Sequence, residues 1–223
     1  RMFQAGVGCS DCHEPHSLEL RAEGDGLCGR CHSPARFEVA AHTGHPVAPE
    51  GAPTGTEVGC VDCHMPERTY MGVDRRRDHS LRIPRPDLTV RIGAPNACAS
   101  CHADRPADWA AAAVLRWHGP VDTARHYGEV FHAARGGDAG TAPELAALAK
   151  DANRPAIVRA TALAELARFP GPQLESGVAA GANDREPLVR YAAALALEGL
   201  PADLPVRAAG VLLDDPVLGV RAE

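Results

Sequence analysis

Aromatic and long aliphatic side chains are scarce where a core would need them. Phe, Trp and Tyr number nine among 223 residues, and the first hundred residues hold very few long apolar side chains. Aliphatic packing alone therefore cannot hold that part together. No run of eighteen apolar residues occurs, so no segment of this chain reads as a transmembrane helix. Arg1 opens no charged-then-apolar signal, so any export signal is expected outside this sequence. Positive charge is not in excess, since 23 Lys and Arg face 29 Asp and Glu for a net charge of −6, which excludes a nucleic-acid footprint. Methionine is rare, being confined to Met2, Met65 and Met71. Both ends, Arg1-Met2-Phe3-Gln4 and Arg221-Ala222-Glu223, read as cut in mid-pattern.

Cysteine is abundant, and all of it is ordered. The eight cysteines form four pairs of one spacing, each followed at once by histidine: Cys9/Cys12-His13, Cys28/Cys31-His32, Cys60/Cys63-His64 and Cys98/Cys101-His102. Zinc knuckles or disulfides also use Cys-x-x-Cys pairs. Histidine makes up about 5% of the chain, so four chance placements beside a pair come to roughly one in 10⁵, and the haem-attachment signature is the better reading. Two thiols add across the two vinyl groups of one porphyrin, and the next imidazole turns under the ring to the iron. Local chain geometry then fixes the proximal ligand without a distant core. Four haems c are expected, with His13, His32, His64 and His102 proximal.

Four irons leave four sixth positions, and seven histidines remain: His16, His42, His45, His79, His118, His126 and His132. Met65 directly follows a proximal ligand and cannot reach that haem's other face. Bis-histidine ligation is therefore expected, with lower potentials than Met/His ligation gives and no iron open to substrate. His16 sits too close to His13 to serve the same haem but is placed to reach a neighbour. His42 and His45 lie together on a loop between the second and third motifs. His79 follows Arg75-Arg76-Arg77-Asp78, whose arginines read as solvated or as partners for haem propionates. These four are the expected distal ligands. His118 reads as a complement to a helix dipole; His126 and His132 read as surface residues, one of them in reserve for the fourth haem.

Three stretches follow along the chain. Residues 1–106 carry all four motifs, which begin at Cys9, Cys28, Cys60 and Cys98 and so spread apart along the chain. This stretch is rich in Gly and Pro, including Pro46, Pro49, Pro53, Pro84, Pro86 and Pro95. Short helical turns and long loops around porphyrins are expected there. Residues 107–140 predict two bridging helices, Ala107–His118 and Thr123–Ala134. Residues 141–223 predict helix pairs with a repeat, because Arg159, Arg190 and Arg221 recur at one constant interval in similar Pro-containing contexts. Thr141 and Glu144 read as a capping box, and Asn153 or Asp151 as the next cap. Leu163, Leu166 and Phe169, then Leu188, Tyr191, Leu195 and Leu197, read as the faces that neighbouring units cover.

The segments Gly8-Cys9-Ser10-Asp11-Cys12-His13-Glu14-Pro15-His16, Cys60-Val61-Asp62-Cys63-His64-Met65-Pro66 and Asp78-His79-Ser80 resemble multihaem cytochromes related to pentahaem cytochrome c nitrite reductase. The nearest branch is the one in which HEAT-like or tetratricopeptide repeats follow the haem domain. The resemblance implies a distal role for His79. It implies a mainly α fold, a loop-rich multihaem cytochrome c domain followed by an α-solenoid of HEAT-like helix pairs. The catalytic Cys-x-x-Cys-Lys of the reductases is absent from the chain. Electron transfer in a periplasmic or extracellular bacterial setting is expected, with redox proteins as partners. Two alternatives stand beside it: part of a multihaem reductase of a small nitrogen or sulfur oxyanion, and a filament in which copies of the chain exchange ligands.

Overall fold

The computed structural model describes residues 2, 5–46, 58–120, 125–201 and 207–222. Pro49, Pro53, Thr123, Arg1, Phe3, Gln4 and Glu223 lie outside them. The fold is mainly helical and divides into two compact units, residues 1–123 and 124–223. The stretch 107–140 is shared between them.

In the first unit the helices are short: α1 (Cys9–Cys12), α2 (Gly26–Gly29), α3 (Pro34–Phe37), α4 (Ala40–Thr43) and α5 (Cys60–His64). A hairpin follows, β1 (Glu67–Tyr70) antiparallel to β2 (Asp74–Arg77) with Glu67 opposite Arg77, and then α6 (Pro86–Ile92) and α7 (Ala107–His118), which pack on each other. The hairpin was not legible in the sequence. Its arginines are engaged in ion pairs, Arg75 with Glu67 at 2.5 Å, Arg76 with Asp74 at 2.6 Å and Arg77 with Asp62 at 3.2 Å, in place of a wholly solvated run. Among the described residues of this unit the buried apolar ones reduce to Leu88, Ala97, Ala110 and Ala113 beside Pro86, while Leu18, Ile83 and Val90 stand exposed. That is far too little apolar burial for a unit of this length.

The second unit holds α8 (Tyr127–Arg135), α9 (Ala142–Lys150), α10 (Ala156–Leu166), α11 (Pro172–Gly181), α12 (Pro187–Ala196), α13 (Arg207–Leu213) and α14 (Leu218–Arg221). Three of these bury one i, i+3, i+4, i+7 stripe each: Ala142, Leu145, Ala146, Ala149; Leu174, Gly177, Val178, Gly181; Val189, Ala192, Ala193, Ala196. α10 packs against α8, α9, α11 and α12 and buries Val158, Ala162, Leu163 and Leu166. A methyl group on Gly181 would stand 2.7 Å from a Leu163 methyl, so small residues set the approach of α11 to α10.

The recurring arginines form a ladder. Arg159 bonds Asp184 at 2.7 Å and Arg190 bonds Asp215 at 2.5 Å, with the same sequence separation in both pairs. An oxygen of each aspartate accepts the amide of the residue two positions on, Glu186 or Val217, and so starts the next helix. Asn153 occupies the position equivalent to Asp184 one interval earlier, and Gly128 stands where its arginine would be. The neutral side chain therefore leaves no carboxylate without a cation.

Three local expectations are corrected. Thr141 is in helical, not extended, conformation, and its hydroxyl donates to the Asp138 carbonyl, while Glu144 is drawn to Arg125 at 2.7 Å; no capping box forms. Neither Asn153 nor Asp151 caps α10, since Asp151 accepts the Asn153 amide in a turn before Pro155. Leu188 and Leu195 are exposed, because the phase of α12 is set by its small residues, which allow α10 to come close.

Candidate functional site

The first and third Cys-x-x-Cys-His segments are single turns of α-helix, the second starts in the last residues of α2 and runs on as a turn, and the fourth opens with a 3-10 turn over Cys98–Ser100. The first and third are held by their own acidic residue. In α1 the Asp11 carboxylate accepts the Gly8 amide at 2.7 Å, and in α5 Asp62 does the same for Gly59 at 2.9 Å. The histidine amide bonds the first cysteine's carbonyl at 2.9 Å in the first, second and fourth segments, which sets the imidazole one turn beyond that thiol.

The segments neighbour one another in chain order. Arg30 of the second donates to the Asp11 carbonyl of the first at 2.6 Å, and Asp25, just before the second, accepts the Cys60 amide of the third at 2.8 Å. The Cys28 and Cys60 thiols lie close enough to perturb each other. Burial pushes the Cys60 thiol up to about 12, with Asp25 adding to it, and burial also raises Cys28, Cys63 and Cys98. Cys63 feels Cys98 and Cys101 of the fourth segment. In the bare polypeptide these four thiols remain protonated at neutral pH.

Among the described residues, imidazole rings inclined by 31° or less meet in three pairs. His13 faces His79 at 6.3 Å between ring centres, His64 faces His42 at 6.2 Å, and His102 faces His45 at 6.1 Å. Two metal–nitrogen bonds of about 2 Å, plus about 1.1 Å from nitrogen to centre in each ring, put two imidazoles on one metal about 6.2 Å apart. The hydrogen bonds complete the match. Nδ1 lies 2.9 Å from the Leu18 carbonyl in His13, 2.7 Å from that of Arg82 in His64, 2.9 Å from that of Arg77 in His79 and 2.7 Å from that of Thr43 in His45. A proton on Nδ1 leaves Nε2 with its lone pair free for metal. Burial, then the nearby His64 and His118, hold His42 below the ordinary imidazole range, which favours its neutral, ligating form.

Two imidazoles supply only two axial ligands. Among the described residues no three His, Cys, Asp or Glu converge as a metal cage does, and the eight thiols are free of disulfides. A macrocycle such as haem would supply the other ligands, and the paired thiols beside His13, His32, His64 and His102 suit its covalent attachment.

The comparisons with known proteins agree with that chemistry. Residues 2–37 match the doubled CXXCH motif family, and residues 29–119 match the cytochrome c552 family. The N-terminal unit is a multihaem c-type cytochrome. Its covalently bound haems serve electron transfer. Neither a curated protein nor a solved structure matches the chain. No described helix is long and apolar enough to cross a membrane.

The elements of the cytochrome unit place the distal candidates as follows. His42 and His45 lie on and just after α4 rather than on an open loop, and Gly44 turns the chain between them in the left-handed region. The two rings thereby reach His64 and His102 respectively. The hairpin is strapped to the third segment by Arg77, and the turn after it carries His79 to His13. His16 has no imidazole opposite it among the described residues; its ring is 93% exposed and bonds Glu14 at 3.4 Å. His126 caps α8, with Nδ1 accepting the Gly128 amide at 3.1 Å, so its proton sits on Nε2 and disfavours iron binding there. His118, at the end of α7, stands 5.8 Å from His42 at a steep angle.

Sequence reasoning missed the indoles. Trp109 lies 4.8 Å from His102, Trp117 lies 5.9 Å from His45, and a methyl group on Gly44 would enter the Trp117 ring. Gly44→Ala is therefore expected to destabilise the cytochrome unit. The left-handed backbone alone costs about 1–2 kcal/mol for alanine, and the displaced indole disturbs the His45–His102 pair. Denaturant unfolding followed at the haem absorption band checks this, and unchanged unfolding with an unchanged spectrum would contradict it.

Proposed function

We propose that the chain is an electron-transfer protein carrying four haems c, attached at Cys9/Cys12, Cys28/Cys31, Cys60/Cys63 and Cys98/Cys101 with His13, His32, His64 and His102 proximal. The three imidazole pairs at 6.1–6.3 Å carry this reading, with His79, His42 and His45 as distal ligands. Bound haem supplies the one-electron iron couple, which bis-imidazole ligation holds at lower potential than Met/His ligation does. The polypeptide contributes placement. The attachment segments neighbour one another in chain order through Arg30, Asp25 and Cys63, which favours a row of redox centres with short steps between neighbours.

Covalent attachment through Cys-x-x-Cys-His favours an extracytoplasmic location in a bacterium. The repeating ladder of the second unit supports a stack of HEAT-like helix pairs, a scaffold that docks a redox partner or another copy of the chain. The intact mass of the denatured holoprotein tests the count. The expected mass is that of the polypeptide with four covalently added haems, and three or fewer would overturn it.

A further inference from the structure

We infer that the iron at Cys28, Cys31 and His32 differs from the other three in keeping its sixth position open to a small exogenous ligand such as carbon monoxide. This rests on the four-haem reading. His32 is the exposed member of the four proximal histidines, the others being half-buried. Its ring meets Phe37 edge-on at 5.6 Å, and among the described residues no imidazole stands opposite it. Every histidine of the chain is described, and six of the eleven are used by the three pairs.

The four left besides His32 do not fit the task. His16 is turned to Glu14 and solvent. His118 stands beside the His42–His64 pair, 5.8 Å from His42. His126 holds a helix cap through Nδ1. His132 is exposed on α8 of the second unit, with its backbone carbonyl closing that helix. No methionine replaces them by chain logic. Met2 belongs to the turn that leads into the first segment, Met65 follows His64 directly, and Met71 is 82% exposed at the hairpin tip. The ring beside His32 is thus a phenyl group, which cannot ligate iron.

The test is titration of the dithionite-reduced holoprotein with carbon monoxide after its haem count has been fixed by intact mass. One equivalent per four haems is expected, with loss of the haem and of carbon monoxide binding together in Cys28→Ala/Cys31→Ala. Met2→Ala, His16→Ala and His118→Ala are expected to leave the stoichiometry at one. Four haems with no carbon monoxide bound would overturn the inference and leave the four-haem reading intact, and a gain of binding in one of the three single variants would then name the ligand responsible. One equivalent that persists in the double cysteine variant would place the open iron elsewhere and also overturn it. Fewer than four haems would instead overturn the reading on which it rests.

Discussion

Replacing His79 with alanine should convert one low-spin haem into a high-spin, carbon-monoxide-binding one and leave the fold intact. His79 is exposed, and it meets the Arg77 carbonyl and, across the pair, the His13 ring. The turn that presents it is held independently, by Asp78 accepting the Ser80 amide at 2.9 Å and pairing with Arg82 at 3.0 Å. Hydrogen bonds from Ser80, then the charge of Arg82, keep the Asp78 carboxyl below the usual carboxylate range, so the turn stays charged and closed at neutral pH. With the imidazole gone, the bis-histidine share of the spectrum should fall by roughly one third, and the potential of that haem should rise because imidazole favours ferric iron. Carbon monoxide uptake should increase by one equivalent, and free imidazole should reverse the change. An unaltered ferric spectrum would remove His79 from the ligand set.

The largest stability effect is expected in the second unit, at Asp184. Arg159 is 3% exposed and Asp184 12%, so the pair is withdrawn from water, and the Arg159 Nε has no partner among the described residues. Asp184→Ala strands a buried guanidinium, for which a loss of about 3–5 kcal/mol is expected. That is a large fraction of the about 5–15 kcal/mol that holds an ordinary domain together. Asp184→Asn separates the two roles of the residue, since it keeps an acceptor for the Glu186 amide while discarding the charge. It should therefore lose less than alanine does. Arg159→Met with Asp184→Leu should recover much of the loss, because a buried ion pair replaced as a whole by apolar groups is close to neutral. By contrast Glu144→Ala breaks a half-exposed pair with Arg125 and should change stability by about 1 kcal/mol or less. Urea unfolding followed by far-ultraviolet circular dichroism measures all four, and equal losses for Asp184→Ala and Glu144→Ala would contradict the ladder's weight.

The four Cys-x-x-Cys-His segments were legible in the sequence, because their residue types and spacing lie within one short stretch. So was α7, whose pattern ends at Gly119. The regular recurrence of the arginines was visible too, but its physical basis was not: the partners Asp184 and Asp215 lie far ahead in the chain and come close only when the helices pack. The imidazole pairs show the same division. His42, His45 and His79 could be nominated by elimination, whereas their pairing depends on Gly44 and the hairpin, whose pairing of Glu67 with Arg77 leaves little trace in a run of arginines. The cap at Thr141 failed as a sequence reading because a stronger charged partner, Arg125, was available to Glu144 from outside the local window. A tertiary contact outweighed a local motif there.

Near-infrared magnetic circular dichroism of the ferric holoprotein bears most directly on whether paired imidazoles hold the irons of the N-terminal unit. Bis-histidine charge-transfer intensity is expected for three haems, with none from methionine ligation. Intensity for fewer than three, or a methionine–histidine band in its place, would contradict the pairing of His13 with His79, His64 with His42 and His102 with His45.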